Sequence, residues 1–263
     1  MVTTIVPFDQ YDHTKLCLQY CEMLKKDDPL EIIFFDSGDE NANRDDFKEL
    51  VENANDTVFY RVKGNAAEEL TELTALKTPS IIVHAIGNSG KPSRVPDADT
   101  ACKYILQLKQ NFLLLPHDYT PKPIKKIVFP VHTLAKVRHK VSLTAKIARM
   151  SNAEIHVVSI ISSTNKKNEK RTILYGNQVF NHFRSLGIPT VQETIFNKEL
   201  VKAIADYTAQ INADLISIIP ETTHGPSFFT KSYIHEVMKA LQYPMLIIAP
   251  RKSKLTGSFK TSG

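Results

Sequence analysis

Residues 126–161 read KIVFPVHTLAKVRHKVSLTAKIARMSNAEIHVVSII, and the order of elements in this segment predicts the fold. It opens on an apolar run, 126–131, whose composition is typical of a buried strand. Apolar residues then recur at helical spacing over 137–149, and a second apolar run follows at 153–161. Strand, helix and strand in this order form the unit from which parallel sheets are built.

The same alternation covers the rest of the chain and occurs twice. The predicted strands are 3–8, 30–35, 57–62, 80–85 and 112–115, then 126–131, 153–161, 190–196, 214–219 and 245–249. The predicted helices are 14–26, 45–53, 66–76 and 97–110, then 137–149, 172–186, 198–211 and 232–241. The strands are almost continuously apolar, which indicates burial on both faces. Right-handed crossovers then predict an α/β fold of two tandem, doubly wound, five-stranded parallel-sheet domains, each Rossmann-like.

Three prolines mark the boundary between the two halves. Pro116, Pro121 and Pro123 prevent a helix from continuing through this segment. We therefore expect a first domain at 1–121, a second at 122–250, and a flexible basic tail at 251–263.

Charge also divides at this boundary. Residues 1–121 carry 12 Lys and Arg against 20 Asp and Glu, a net of −8, whereas residues 122–263 carry 21 against 8, a net of +13. The two values sum to the +5 of the whole chain. Such asymmetry indicates two units with different roles or complementary faces.

Composition limits the class of protein. The 263 residues contain no apolar stretch of the length that a membrane-spanning helix needs. The first residues show no export signal, and the three cysteines are too few for a secreted disulfide framework. We expect a cytoplasmic protein with reduced thiols and no membrane association.

Ligands of open parallel sheets bind beyond the carboxyl ends of the strands, where the strand order reverses. In the first half, Pro7 and Asp9 end the first strand, while Gly87 and Gly90 follow the fourth. A carboxylate accepts hydrogen bonds from a ribose or adenine, and a bare glycine backbone can approach a phosphate. By itself G-x-x-G is equally compatible with an ordinary turn.

The twofold strand–helix pattern, the Val6-Pro7-Phe8-Asp9 strand end and the glycine loop together resemble the universal stress protein family in its tandem form. The resemblance covers nearly all of both halves. Nucleotide-binding members carry G-x-x-G, nine residues, and then Gly followed by Ser or Thr. Gly87 and Gly90 match, but Thr100 stands where the later glycine belongs. The resemblance implies weak binding of ATP or AMP through Pro7, Asp9, Gly87, Gly90 and Thr100.

The second half departs further from the family's pattern. His132 replaces the aspartate at the end of its first strand, and the loop 220–232 has one glycine. Lys231-Ser232 aligns with the Gly-Ser pair. This half is expected not to bind ATP, and an anion site is expected at His132, His224, Ser227, Lys231 and Ser232.

The resemblance implies a stress-response regulatory or binding protein without enzymatic activity. It further implies pairing through the last strands, either between two chains or between the two halves of one chain, with pseudo-twofold symmetry. Two alternatives stay open. One is a slow nucleotide hydrolase with Asp9 or His132 as general base. The other is a protein-interaction scaffold whose crevices are filled by side chains such as Phe228 and Phe229.

Other candidate sites are weaker. Cys17 and Cys21 share a helix face and suit either a redox or metal pair or, more commonly, a core position. The histidines do not follow metal-ligand spacing, so no metal site is predicted. The lysines of the second half fall in separate clusters without an aromatic-rich binding motif, which favours solvated surface over nucleic-acid binding.

Overall fold

A computed structural model gives the structure of the chain. It describes residues 2–8, 11–25, 30–36, 50, 57–61, 66–77, 81–87, 101, 105, 108, 110–132, 137–161, 165–219, 236–237 and 242–249. The tail 251–263 and the predicted helix 45–53, apart from residue 50, lie outside these ranges.

Within the described ranges, ten strands form one sheet and five long helices pack against it. The strands are β1 Val2–Phe8, β2 Leu30–Asp36, β3 Thr57–Arg61, β4 Ile81–Ile86, β5 Phe112–Pro116, β6 Lys126–Val131, β7 Glu154–Ile161, β8 Thr190–Phe196, β9 Leu215–Ile218 and β10 Met245–Ile247. The helices are α1 Tyr11–Lys25, α2 Ala66–Lys77, α3 Val137–Ser151, α4 Lys166–Ser185 and α5 Leu200–Gln210. Residues 101, 105, 108, 236 and 237 are also helical, within the two further helices that the sequence predicts.

The strand order is β3-β2-β1-β4-β5-β10-β9-β6-β7-β8. All described pairs within the first five strands and within the last five are parallel, so each half is a doubly wound parallel sheet. The predicted α/β fold class is therefore confirmed. β5 and β10 pair antiparallel, with Leu113 opposite Leu246. The two halves thus form one continuous sheet, and the carboxyl ends of their strands lie at opposite edges of it.

The core lies on both faces of this sheet. Alternate residues of each strand point to opposite faces. One face contacts α1, α3 and α4, and the other contacts α2 and α5. Both hydrophobic clusters include strand residues from each half, so the core continues across the junction of β5 and β10. In the described ranges, no helix is both long and apolar enough to cross a membrane.

One predicted helix begins earlier than the sequence pattern indicated. We expected 172–186, but α4 begins at Lys166, six residues before the first expected position. Asn165 caps it, because the side-chain oxygen of Asn165 accepts a hydrogen bond from the Lys167 backbone N–H at 2.9 Å. The first turns are polar and therefore show no apolar period.

Asp214 ties the segment between the halves to the start of β9. Its carboxylate is almost fully buried and accepts hydrogen bonds from the backbone N–H groups of Lys125 and Lys126, at 2.8 and 2.9 Å. The ammonium of Lys122 lies 2.8 Å from the other carboxylate oxygen. Residues 117–125 have no regular strand or helix, so these bonds fix their path. The sequence assigned Asp214 to a strand, but it precedes β9.

A buried hydroxyl in α1 leads to a prediction about stability. Tyr20 is fully buried, and within the described structure its hydroxyl has no hydrogen-bond partner. Tyr20→Phe is expected to raise the free energy of unfolding by about 1 kcal/mol, because a desolvated donor is removed and no hydrogen bond is lost. Urea denaturation followed by circular dichroism measures the change.

The matched control is Tyr207→Phe. The Tyr207 hydroxyl is also buried but lies 2.9 Å from Nδ1 of His156. This substitution is expected to lower the free energy of unfolding by about 1 kcal/mol. Equal effects of the two substitutions would contradict the difference in hydrogen bonding.

Candidate functional site

The first candidate site lies at the point where the strand order of the N-terminal half reverses. β1 pairs with both β2 and β4, so β1 and β4 flank this switch point. Pro7 lies near the end of β1 and Gly87 directly follows β4, and both are half-buried. The structure therefore brings these two predicted residues to adjacent strand ends. Asp9, Gly90 and Thr100 lie outside the described residues.

The second candidate site is the equivalent switch point of the C-terminal half, between β6 and β9. His132 directly follows β6 and is half-buried. The remaining predicted anion-site residues lie outside the described residues, namely His224, Ser227, Lys231 and Ser232, and so do Phe228 and Phe229. Of the predicted set, the structure thus places only His132.

A buried lysine that the sequence analysis did not single out lies at this second switch point. Lys140, in the first turn of α3, is only 3% exposed. Its ammonium donates hydrogen bonds to the backbone oxygens of Pro130 on β6, at 2.5 Å, and Ser217 on β9, at 3.2 Å. The same ammonium lies 4.0 Å from the centre of the Phe129 ring. Lys140 therefore joins the two strands where they part.

The strand sequence explains why a donor is needed here. The described pairing of β6 with β9 ends at Val128 and Ile216. Pro130, the next residue of β6 that would point its N–H toward β9 in a parallel ladder, has no N–H. Lys140 supplies hydrogens in its place.

Burial changes the acid–base behaviour of Lys140. Among the described residues no carboxylate pairs with its ammonium, and desolvation lowers the pKa of Lys140 to about 7. The two carbonyl oxygens and the Phe129 ring favour the charged form and oppose this effect, but the pKa of Lys140 still lies below its ordinary value. A large fraction of Lys140 is therefore neutral at physiological pH.

The sequence did contain a signal for Lys140. It lies four residues before Thr144 and five before Ala145, both of which are buried, so it falls on the core-facing stripe of α3. A charged residue in such a stripe is either paired or functional. Thr144 continues the polar contacts, since its hydroxyl lies 2.7 Å from that of Ser217.

The two cysteines of α1 are core residues. Cys17 and Cys21 are 2% and 0% exposed, and neither forms a disulfide. Burial raises the pKa of Cys21 to about 12, so its thiol stays protonated and unreactive at neutral pH. Over the part of the chain that the structure describes, no group of three or more His, Cys, Asp or Glu side chains could hold a metal ion.

Comparisons with known proteins agree on the fold. No protein-family model and no curated protein matches the sequence. A universal stress protein from Archaeoglobus fulgidus superposes with a TM-score of 0.66 at 13% identity, over 95% of this chain and 98% of that one. The chain has the universal stress protein fold. A candidate universal stress protein from Pseudomonas aeruginosa gives 0.61 at 16% identity, over 95% and 92% of the two chains.

The universal stress protein fold is not tied to one activity. The cytoplasmic domain of a prokaryotic cation chloride cotransporter superposes on the chain with a TM-score of 0.55 at 10% identity, over 95% of this chain and 97% of that one. Function must therefore be argued from the side chains that each switch point presents.

In this universal stress protein fold, a further polar cluster lies at the end of the C-terminal strands that is opposite the switch point. Nε2 of His156 lies 2.9 Å from a carboxylate oxygen of Glu154, and Nδ1 lies 2.9 Å from the hydroxyl of Tyr207. Glu154 is the first residue of β7, so the cluster lies at the amino ends of the strands, away from the ligand crevice. Burial raises the pKa of Tyr207 to about 12, which keeps its hydroxyl protonated. We interpret this cluster as structural.

Proposed function

We propose that the chain is a cytoplasmic, non-enzymatic binding protein of the universal stress protein type that acts in the stress response. In this proposal the N-terminal half binds an adenine nucleotide weakly and the C-terminal half does not. The observation that supports it is the difference between the two switch points. One has a glycine beside the end of its central strand, and the other has the ammonium of Lys140 between its strands.

In the N-terminal half, the positions of Pro7 and Gly87 support the proposal. They lie at neighbouring strand ends, and along the sequence Asp9 comes two residues after Pro7 and Gly90 three residues after Gly87. A glycine backbone leaves room for a phosphate, and a carboxylate accepts bonds from a ribose. The net charge of −8 on residues 1–121 opposes a polyanion, which is why we propose weak binding.

In the C-terminal half, two residues at the switch point argue against nucleotide binding. His132 stands where a carboxylate would accept bonds from a ribose. Lys140 already uses the switch point, because its ammonium bonds to both flanking strands. The half remains cationic, with a net of +13 on residues 122–263, and we propose that it attracts small anions without binding ATP specifically.

We further propose that the two halves pair within one chain, so that the protein is a monomer. The antiparallel pairing of β5 with β10 supports this, because the last strand of each half is already hydrogen-bonded to the last strand of the other half. A dimer through these strands would require the pairing to open.

Isothermal titration with ATP and AMP tests the nucleotide proposal. The wild type is expected to bind with a Kd in the range of about 10 μM to 1 mM, and Gly90→Val or Gly87→Val to abolish the heat, because a β-branched side chain would fill the space for a phosphate. The matched control is His132→Ala at the other switch point, which is expected to leave the titration unchanged.

Two outcomes would overturn the proposal. Heat in neither wild-type titration would rule out nucleotide binding in this half, and loss of heat in His132→Ala would move the site to the other half. Phosphate release from ATP, measured on the same samples and abolished by Asp9→Asn, would show that the protein is an enzyme.

A further inference from the structure

A strongly basic surface lies at the beginning of α4, far along the chain from the proposed nucleotide residues. Lys166, Lys167, Lys170 and Arg171 are all exposed and lie within six consecutive residues, and Glu169 is the one acid among them. Positions i and i+4 share a helix face, so the four cations form a single stripe. They line an open cavity of about 510 Å3. None of the four forms an ion pair with another described residue.

These cations oppose the stability of the helix that carries them. The amino end of a helix is partly positive, and a cation there costs roughly 0.3–1 kcal/mol. A neutral or acidic first turn would stabilise α4 better. The charge of the basic stripe therefore does not favour the helix dipole, and an anionic partner would offset its cost.

The fold places an exposed aromatic residue beside this stripe. Gln192 of β8 donates a hydrogen bond to Asn177 of α4, so alternate residues Gln192, Thr194 and Phe196 face the α4 side of the sheet. Phe196 is 69% exposed. Ile195, between Thr194 and Phe196, packs on the other face of the sheet.

Register fixes the level of Phe196 along α4. Gly176 of α4 faces Ser159 of β7, which is paired with Thr194 of β8. Phe196 lies two residues further toward the carboxyl edge, about 7 Å, which corresponds to between four and five helical residues. Since α4 starts at that edge, Phe196 lies level with Arg171.

Two more residues extend the surface. Leu174 is 55% exposed and lies one helical turn beyond Lys170 and Arg171 on the same stripe. Lys198 is exposed and comes two residues after Phe196, at the same edge of the sheet. Cations and an aromatic platform that are 25 or more residues apart in sequence thus form one surface.

We infer that this surface binds single-stranded nucleic acid, with phosphates along the Lys166, Lys167, Lys170 and Arg171 stripe and a base stacked on Phe196. Proteins that bind single strands combine a positive groove with exposed aromatic rings in this way. The sequence favoured solvated surface because the basic clusters are separate and lack an aromatic-rich motif, whereas the fold adds the exposed Phe196 of β8 to this one. An anionic membrane is less suited, because it needs a broad apolar face and this surface exposes only Leu174 and Phe196 among its described large apolar residues.

Fluorescence anisotropy with labelled oligouridylate and oligothymidylate of about 12 nucleotides tests this inference. The wild type is expected to bind both, with a slope of log K against log salt of about −3 from four phosphate contacts. Lys166→Gln combined with Lys170→Gln is expected to halve this slope. Phe196→Ser is expected to weaken binding about tenfold and to leave the slope unchanged.

Matched controls separate the surface from charge and folding effects. Lys15→Gln combined with Arg184→Gln removes the same charge from exposed positions elsewhere, and Val58→Ser replaces an exposed apolar residue on the opposite edge strand. Both are expected to bind like the wild type. The double variant in α4 should keep or raise the melting temperature, because it removes cations that oppose the helix dipole.

Three results would overturn the inference. The first is an absence of binding to either oligonucleotide. The second is equal weakening by the α4 pair and by its control pair. The third is cosedimentation with phosphatidylserine vesicles without oligonucleotide binding, which would assign the surface to a membrane. None of these depends on ATP binding at Gly87 and Gly90, so the two proposals fail separately.

Discussion

Replacing Gly176 by alanine is expected to lower the free energy of unfolding by about 2 kcal/mol, although alanine is the better helix former. Gly176 is buried where α4 packs against β7, and a Cβ at this position would overlap the hydroxyl oxygen of Ser159. Ser159 is itself 0% exposed. The overlap must be relieved by moving α4 away from the sheet or by forcing Ser159 into another rotamer, and both disturb a close-packed interface.

In a Ser159→Ala background, Gly176→Ala is expected to have the opposite effect on the free energy of unfolding. In Ser159→Ala, the remaining Cβ lies 3.5 Å from the position that the new methyl group at residue 176 would take, which is ordinary contact. Within the described residues the Ser159 hydroxyl has no hydrogen-bond partner, so its removal costs little. In this background Gly176→Ala is expected to stabilise by about 1 kcal/mol through helix propensity.

Urea denaturation of the wild type, the two single variants and the double variant measures this coupling. We expect an interaction energy of about 3 kcal/mol, at the upper end for residues in contact. An interaction energy near zero would show that α4 does not approach β7 through this pair. Gly187→Ala is a useful comparison, because Gly187 has a φ of +74° and no atom lies near its Cβ position. This variant is expected to lose stability through backbone strain, which Ser159→Ala does not relieve.

Lys140 is expected to make the stability of the protein depend on pH near neutrality. Its folded-state pKa of about 7 lies below the ordinary value of 10.5 because of burial. Between these values the unfolded chain binds more protons than the folded one, so the free energy of unfolding rises with pH. The cost of the buried charge is present in full below pH 7 and disappears as pH approaches 10.5.

Comparison with Lys140→Met isolates this contribution. The wild type is expected to gain stability relative to the variant by on the order of 2 kcal/mol between about pH 6.5 and 8.5. The comparison stays below about pH 9, because burial raises the pKa of Cys21 to about 12 and the free energy of unfolding of both proteins falls as pH rises above that point. Denaturant unfolding at closely spaced pH values provides the measurement.

Lys140→Arg is the second variant in this series. Arginine stays protonated throughout this range, so the variant is expected to be the least stable of the three at every pH and to lack the rise above pH 7. Parallel curves for wild type and Lys140→Met would mean that Lys140 titrates at its ordinary pKa, and that its contacts with Pro130 O, Ser217 O and Phe129 compensate fully for burial.

The sequence predicted the fold well because burial on both faces leaves a strong signal. β6 begins and ends at the predicted residues, and all of it after Lys126 is buried. β8 also begins and ends as predicted, although it is a partly exposed edge strand, because β-branched and aromatic residues occur along it. The start of α4 was missed because its first turns are stabilised by the Asn165 cap and not by apolar packing. Capping depends on one side chain and leaves no periodic pattern.

The candidate site was predicted less completely for a different reason. Ligand-binding motifs of parallel sheets lie at strand ends and in loops, where His132 and Gly87 are found, whereas Lys140 reaches the switch point from within a helix. Its role follows from Pro130, which lacks the N–H that Lys140 replaces. Similarly, Phe196 lies at about the level of Arg171 only because β7 pairs with β8 and α4 packs across both. Such long-range juxtapositions depend on sheet register, which composition does not reveal.

The antiparallel junction of β5 and β10 allows the two halves to evolve independently. Because the strands of the two halves run in opposite directions, their switch points lie on opposite sides of the molecule, separated by roughly 20 Å along the strands and by four strand spacings, about 19 Å, across the sheet. No single small ligand can touch both, and a substitution that closes one crevice creates no clash in the other. Each crevice is therefore exposed to selection on its own, so one can keep a glycine beside its central strand while the other acquires a lysine.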